Sequence, residues 1–354
     1  MKSILISGMA GSGKTAIALG LALQLRDNGV AFSYFKPLAA TRDPAKKEDE
    51  DVLLFKSVFN IGHDASVISP VRTSPFYLSG GLPNDPEPLV KKIRDAFETV
   101  AKDKEVILID GSLSPFTAAS LGLDSIHLAG MFNSTILFVS RIDDDYSVDK
   151  TIFYNNHIRL AGIPVLGNIF NNVDRTLLDK TRGVYAPIME HLGNRVLGIV
   201  PHKAEIAAPT VAEFYDALGG ELLTGEENLT RIVEDVVVGS MTIESALGYL
   251  RRAPNKAVIT GGDRSDMSLT ALETSTSVLI LTGGLYPDVG VLARANEKKV
   301  PVILVHYDTY TTIERLHVVS RRIRPGDEQG INIARDNVNQ HCDWQAILAY
   351  IRNN

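Results

Sequence analysis

A chain of 354 residues exceeds what one ordinary hydrophobic core serves and predicts two domains. Its 45% hydrophobic and 22% charged residues are the proportions of a soluble globular protein, and the net charge of -6 leaves no basic surplus for a nucleic-acid partner. The single cysteine, Cys342, excludes an internal disulfide framework and a thiolate metal cluster, and fits a reducing compartment.

The N-terminal apolar run stops at Gly8, too short for a signal peptide, and no run approaches the roughly 18 apolar residues of a membrane span. A cytoplasmic protein without a membrane partner is expected. Strands are predicted at residues 3–7, 31–35, 106–110, 135–140, 165–171 and 196–200, with amphipathic helices at 15–26, 87–101, 148–161 and 175–192. Strands apolar on both faces and separated by helices predict an α/β fold with a doubly wound parallel sheet. After the polar stretch 224–228 a second series begins, with strands at 233–238, 257–260, 278–281 and 302–306. Helices at 242–252, 266–274, 289–298 and 309–322 alternate with them. This predicts a nucleotide-binding domain over 1–222, a smaller α/β domain over 223–335, and a tail over 336–354. The chain beyond residue 324 reads as irregular until a short helix at 344–351.

The first predicted strand runs into Gly8-Met9-Ala10-Gly11-Ser12-Gly13-Lys14-Thr15, which fits G-x-x-x-x-G-K-[ST] throughout. Gly8, Gly11 and Gly13 let the backbone curl so that successive N–H groups, with that of Ser12, point at phosphate oxygens. The helix that follows adds its positive end. Lys14 is placed to reach the β and γ phosphates, and the Thr15 hydroxyl to ligate Mg²⁺. A strand before the motif and a helix after it are the context that distinguishes a phosphate-binding loop from a chance match. Position nine is Met9, so the second lysine of MinD-like dimerising ATPases is missing there.

Ligands of a parallel α/β sheet lie beyond the carboxyl ends of its strands. Lys36 follows the second strand there, as a cation facing the phosphates or as a surface lysine. Asp110 closes an apolar strand, the form of a carboxylate that holds Mg²⁺ or its water shell. Asp51 heads an apolar helix in a charge run, as a second metal ligand or as part of a solvated surface. Asn171 ends another strand, to read a base edge or to build a turn.

Together these residues resemble the dethiobiotin synthetase-like branch of P-loop proteins over roughly residues 1–220. That resemblance implies roles for the loop, for Lys36-Pro37, for Asp51 as metal ligand, for Asp110-Gly111, and for Asn171 at the base. The family's usual Glu-Gly is Asp110-Gly111 here, which keeps the charge and shortens its reach. The second half is similar to the DRTGG domain, through Gly261-Gly262-Asp263-Arg264-Ser265-Asp266 and Leu281-Thr282-Gly283-Gly284. Amides near Gly262, Asp263, Gly283 and Gly284 could nest an anion clamped by Arg264, or these turns could simply build the fold, with Arg264 paired to a neighbouring Asp.

This domain order resembles the N-terminal half of long bacterial phosphotransacetylases, whose acetyl transfer belongs to a third domain, so acetyl transfer is not expected here. The resemblance implies an ATP- and Mg²⁺-binding regulatory or sensor protein, with the DRTGG domain as oligomeric contact or second ligand site. The alternative is an ATP-dependent ligase or kinase that activates a small carboxylate or amine, with Lys14 and Lys36 stabilising the transferred phosphoryl group.

Overall fold

The structure is a computed structural model that describes residues 1–40, 48–73, 77–78, 86–317, 319 and 321–353. It divides into two compact units, residues 1–202 with 323–354, and residues 203–322. The first unit thus ends after residue 202 rather than at 222, and the tail returns to it. The earlier boundary has a packing cause. Val211, Phe214 and Leu218 bury themselves in one core with Ala257 and Ile259 of the second unit.

The first unit is built on a six-stranded parallel sheet of β1 (Lys2–Gly8), β2 (Phe32–Phe35), β5 (Val106–Asp110), β6 (Thr135–Arg141), β7 (Val165–Val173) and β8 (Val196–Pro201). Between β2 and β5 a separate parallel pair, β3 (Leu38–Ala40) and β4 (Val71–Thr73), was not foreseen. The order β2-β5-β1-β6-β7-β8 places β1 at the point where strand succession reverses, and the turn after β1 opens at the carboxyl edge. Ile4, Leu5 and Ile6 of β1 and Val106 through Ile109 of β5 are fully buried, because helices cover both faces of the sheet. One face carries the helix Glu87–Ala101, whose Ile93, Phe97 and Val100 pack on Leu5, Ile107 and Ile109.

Helix α1 (Lys14–Asp27) is apolar nearly all round, and its buried residues include Ile17, Leu19, Leu21, Leu23 and Leu25. What covers its outer side is the helix Glu328–His341, in a stretch expected to be irregular. Its many Asn, Asp and Gln side chains hide the spacing of Ala334 and Val338, which are buried against α1, and Asp327 caps its start through the Gly330 N–H at 2.9 Å. The two helices approach so closely that a Cβ at Gly20 would lie 2.4 Å from the Ala334 carbonyl oxygen and 2.5 Å from a Val338 methyl. Gly20→Ala is therefore expected to destabilise by about 1–3 kcal/mol through overpacking, outweighing the roughly 1 kcal/mol that alanine gains in a helix. Urea unfolding checks this, and a variant more stable than wild type would contradict the seating of the tail helix.

The helix expected over 175–192 is interrupted. A π-helical turn, Thr181–Tyr185, precedes Ala186–His191, because Pro187 has no N–H to continue the regular ladder.

In the second unit β10 (Asp235–Val238), β11 (Lys256–Gly261), β12 (Thr276–Thr282) and β13 (Val302–Leu304) run parallel in chain order. The edge strand β9 (Glu221–Thr224), missed from the sequence, joins β13 antiparallel. Its four residues are half-buried or exposed, so no apolar run marks it. Successive right-handed crossovers in one direction place Ile243–Arg252, Ser265–Leu272 and Val289–Lys298 on one face, and Val211–Leu218 and Thr309–His317 on the other. No helix among the described residues is long and apolar enough to cross a membrane.

Candidate nucleotide-binding site

The loop from Gly8 to Thr15 joins the end of β1 to the start of α1. Two of its glycines are demanded by space as well as by φ. At Gly8 (φ 156°) a Cβ would fall 2.1 Å from the Val139 carbonyl oxygen, and at Gly13 (φ 82°) 2.1 Å from the Asn171 amide nitrogen. Gly13 caps α1 without a side-chain hydrogen bond, so no side chain competes for the first-turn N–H groups. The Ser12 hydroxyl is buried without a protein partner.

Lys14 is folded into this hollow, where its ammonium donates to the carbonyls of Gly8 (2.9 Å), Met9 (3.0 Å) and Leu113 (3.3 Å). Burial pushes its pKa down to about 8, against the pull of the Asp110 carboxylate. A buried ammonium, an uncapped helix start and an unpartnered hydroxyl form a cradle whose complement is an anion.

The carboxylates gather beside it. Asp110, at the end of β5 and 2% exposed, accepts from the Tyr34 hydroxyl at 2.7 Å and from the Thr15 hydroxyl at 3.5 Å. Burial raises its pKa, a rise that Lys36 and the Tyr34 hydrogen bond oppose. Lys36, one residue beyond β2, donates to Asp49 at 3.1 Å and to Asp51, and lies 3.8 Å from Asp110. Burial works against its charge, yet Asp51, Asp110 and Asp49 hold the ammonium well above the ordinary lysine range. Asp51 reaches Lys36 from the first turn of α2 (Glu50–Phe59). Lys14, Thr15, Lys36, Asp51 and Asp110 therefore form one contiguous cluster.

Asn171 lies on the other side of the loop. Its amide donates to the Ser12 carbonyl at 2.8 Å, so it braces the loop, and an amide of this kind keeps a second N–H and its oxygen for another partner.

Two members of the cluster were missed. Tyr34 stands two residues before Lys36, on the same strand face by the period of two, and stacks on Phe55 at 3.7 Å between ring centres. Asp49 caps α2 by accepting from the N–H groups of Asp51 (3.0 Å) and Val52 (3.2 Å), a role its place before an apolar helix signals. Among the described residues no group of three or more His, Cys, Asp and Glu forms a ready metal cage. The hydroxyl of Thr15 beside the carboxylate of Asp110 is nonetheless an all-oxygen pair of the kind that holds Mg²⁺, which keeps waters and takes few protein ligands.

The second unit's glycine turns come together at the carboxyl edge of its sheet, but their amides are engaged. Gly262 N–H donates to Thr282 (3.4 Å), Arg264 to Gly261 (3.0 Å), Gly283 to Tyr307 (2.8 Å) and Gly284 to Val305 (2.9 Å). Arg264 pairs with Asp266 at 3.2 Å and with the Met241 carbonyl at 3.3 Å, and Asp263 is exposed. A Cβ at Gly262 would meet the Leu285 carbonyl oxygen at 1.7 Å, so that glycine serves backbone contact between two loops.

A phosphate-cradling loop at the reversal point of a doubly wound parallel sheet defines a P-loop nucleotide-binding protein. Family comparison agrees, with residues 2–210 matching the AAA domain and residues 213–319 the DRTGG domain. The chain belongs to this AAA domain family in its dethiobiotin synthetase-like form, followed by a DRTGG domain, the order of the N-terminal part of long phosphotransacetylases. It is 24% identical over 350 residues to the phosphate acetyltransferase of Pseudomonas putida, covering 94% of this chain and 49% of that protein. It is 24% identical over 365 residues to that of a Synechocystis species, covering 97% and 50%. The chain thus spans about half the length of the curated relatives it matches. A solved structure of the CBS and DRTGG domains of a Clostridium perfringens pyrophosphatase aligns at a TM-score of 0.28 with 17% identity, over 44% of this chain and 80% of that one, which is too low to carry an argument.

Proposed function

We propose that the first domain binds ATP with Mg²⁺ and that the protein is a regulatory or sensor protein whose second domain provides an oligomeric contact or a second ligand site. The observation that carries this reading is the Lys14 ammonium lodged on the Gly8 and Met9 carbonyls beside an uncapped helix start. In this reading the loop amides and Lys14 hold the phosphates, Asn171 offers its remaining amide groups to the base, and Thr15 and Asp110, with Asp51 nearby, hold the metal. Bound Mg²⁺ would neutralise phosphate charge. Binding rather than rapid turnover is favoured because Lys36 already shares its charge among three carboxylates. Calorimetric titration with Mg-ATP, together with a phosphate-release assay, tests the proposal. Binding with little or no release is expected, and no binding by the wild-type protein would overturn it.

A second reading rests on the same lysine. Lys36 lies 3.8 Å from Asp110, so a metal that claimed Asp51 and Asp110 would free its ammonium to stabilise a transferred phosphoryl group. That reading, an ATP-dependent ligase or kinase, requires phosphate release stimulated by a small carboxylate or amine. Acetyl transfer is assigned to neither domain, and an assay for acetyl phosphate formation is expected to show none.

A further inference from the structure

Among the described residues, the groups that reach the Asp110 carboxylate meet one oxygen, Oδ2. They are the Tyr34 hydroxyl at 2.7 Å, the Thr15 hydroxyl at 3.5 Å and the Lys36 ammonium at 3.8 Å. Only the first lies at the ordinary length of an O–H···O hydrogen bond. Lys36 makes its shorter contacts with Asp49 and Asp51, so it gives Asp110 charge rather than direction. No hydrogen bond among the described residues reaches Oδ1. Tyr34 is itself firmly held. It is fully buried, and its ring stacks on Phe55 of α2 at 3.7 Å between centres with the planes 10° apart. Phe55 meets Phe59 at 5.6 Å, and Phe59 meets Phe32 of β2 at 5.0 Å. In the parallel register Tyr34 pairs with Leu108, so its hydroxyl reaches along β5 to the last side chain of that strand.

We propose that Tyr34 is a positioning residue for the cation site, whose hydroxyl fixes the Asp110 carboxylate by Oδ2 and leaves Oδ1 to Mg²⁺ or its water shell. The inference rests on the reading of the first domain as a site for ATP with Mg²⁺. The last side-chain torsion of an aspartate is broad, so a strand-ending carboxylate without a short donor turns readily. With Lys36 close by, it would turn towards that ammonium, and a cation would have to reorganise it on binding. Holding the carboxylate in place beforehand removes that cost. Thr15 cannot supply the hold, because its contact is long and its hydroxyl is itself a candidate ligand. Tyr34 can, and it does so without touching a ligand, since no part of it is exposed.

Calorimetric titration of the full chain with ATP, once in excess Mg²⁺ and once in EDTA, tests this. Tyr34→Phe removes one oxygen and keeps a ring to stack on Phe55. It is expected to lose about tenfold more affinity for Mg-ATP than for metal-free ATP, the order expected of one hydrogen bond to a charged group. Asp110→Asn is expected to remove most of the gain that Mg²⁺ brings. Adding Tyr34→Phe to it should remove little more, because Tyr34 acts through Asp110. Equal losses in Mg²⁺ and in EDTA, as damage to packing alone would produce, would overturn the proposal. So would a Tyr34→Phe variant with the Mg²⁺ gain of the wild type, or a double variant in which Tyr34→Phe still costs its full factor. Each of these leaves ATP binding standing. A wild type that binds no ATP, or that gains nothing from Mg²⁺, would overturn the reading of the domain together with this inference.

Discussion

Replacing Lys36 by methionine is expected to lower the unfolding free energy at neutral pH by about 3–5 kcal/mol, the usual cost of removing one partner from a buried ionic group. Among the described residues the lysine pairs with Asp49 and Asp51 and lies near Asp110, and Lys14 is a second cation acting on Asp51 and Asp110. Methionine fills most of its volume but leaves the acids facing one another, and Asp110 has almost no access to water. The sign of the pH dependence follows from Asp110. Its folded pKa is already raised by burial, and loss of Lys36 removes a charge that held it down. A carboxyl with a raised folded pKa favours the native state below its unfolded pKa, and that contribution is lost as pH rises through the folded pKa. The deficit of the variant should therefore shrink as pH falls through the raised Asp110 pKa. Urea unfolding of both proteins at neutral and mildly acidic pH checks this. Equal stabilities at neutral pH would show that the acids relax apart or take up solvent, and the cluster would lose its role as a preformed charge site.

The phosphate loop was legible in the sequence because its chemistry is local. Curling a backbone around an anion and closing it with an ammonium requires consecutive residues in fixed order, and Gly8 to Thr15 record that order directly. Lys36 and Asp110 were legible for a related reason, since each follows or ends an apolar strand and the carboxyl edge of a parallel sheet collects such residues. Their mutual pairing was not legible. That the charge of Lys36 is shared by Asp49, Asp51 and Asp110 depends on α2 folding back beside β2, which no spacing encodes. Asn171 shows the same limit, because a strand-ending amide announces a polar contact without saying that one N–H is spent on Ser12. The tail helix and β9 were hidden by composition. Asn-rich and half-exposed segments show weak periodicity, and they order here because α1 and β13 offer edges to complete.

Nucleotide affinity is expected to be nearly constant below pH 7 and to fall above pH 8, approaching tenfold per pH unit, since each unit of pKa separation is worth about 1.4 kcal/mol. The cause is Lys14, whose ammonium is destabilised by burial, and further by the nearby Lys36 charge, to a pKa of about 8 against the pull of Asp110 and Asp51. A triphosphate brought into the cradle favours the charged form, so binding above pH 8 must take up a proton. Titration in two buffers of different ionisation enthalpy would reveal that uptake, and pH-independent affinity between 7 and 9.5 would show that Lys14 does not meet the phosphates. Lys14→Met is expected to abolish binding. It should also remove a feature of the free protein. Because the folded pKa of Lys14 lies below the ordinary lysine value of 10.5, its burial costs the native state most below pH 8, and the cost is relieved as pH rises from there towards 10.5. Wild-type stability should gain from this group over that interval, whereas the methionine variant should lack the gain. A lysine serving only as a structural brace for the Gly8, Met9 and Leu113 carbonyls would show the same stability gain but no pH-dependent affinity, so the affinity profile is the outcome that separates the two roles.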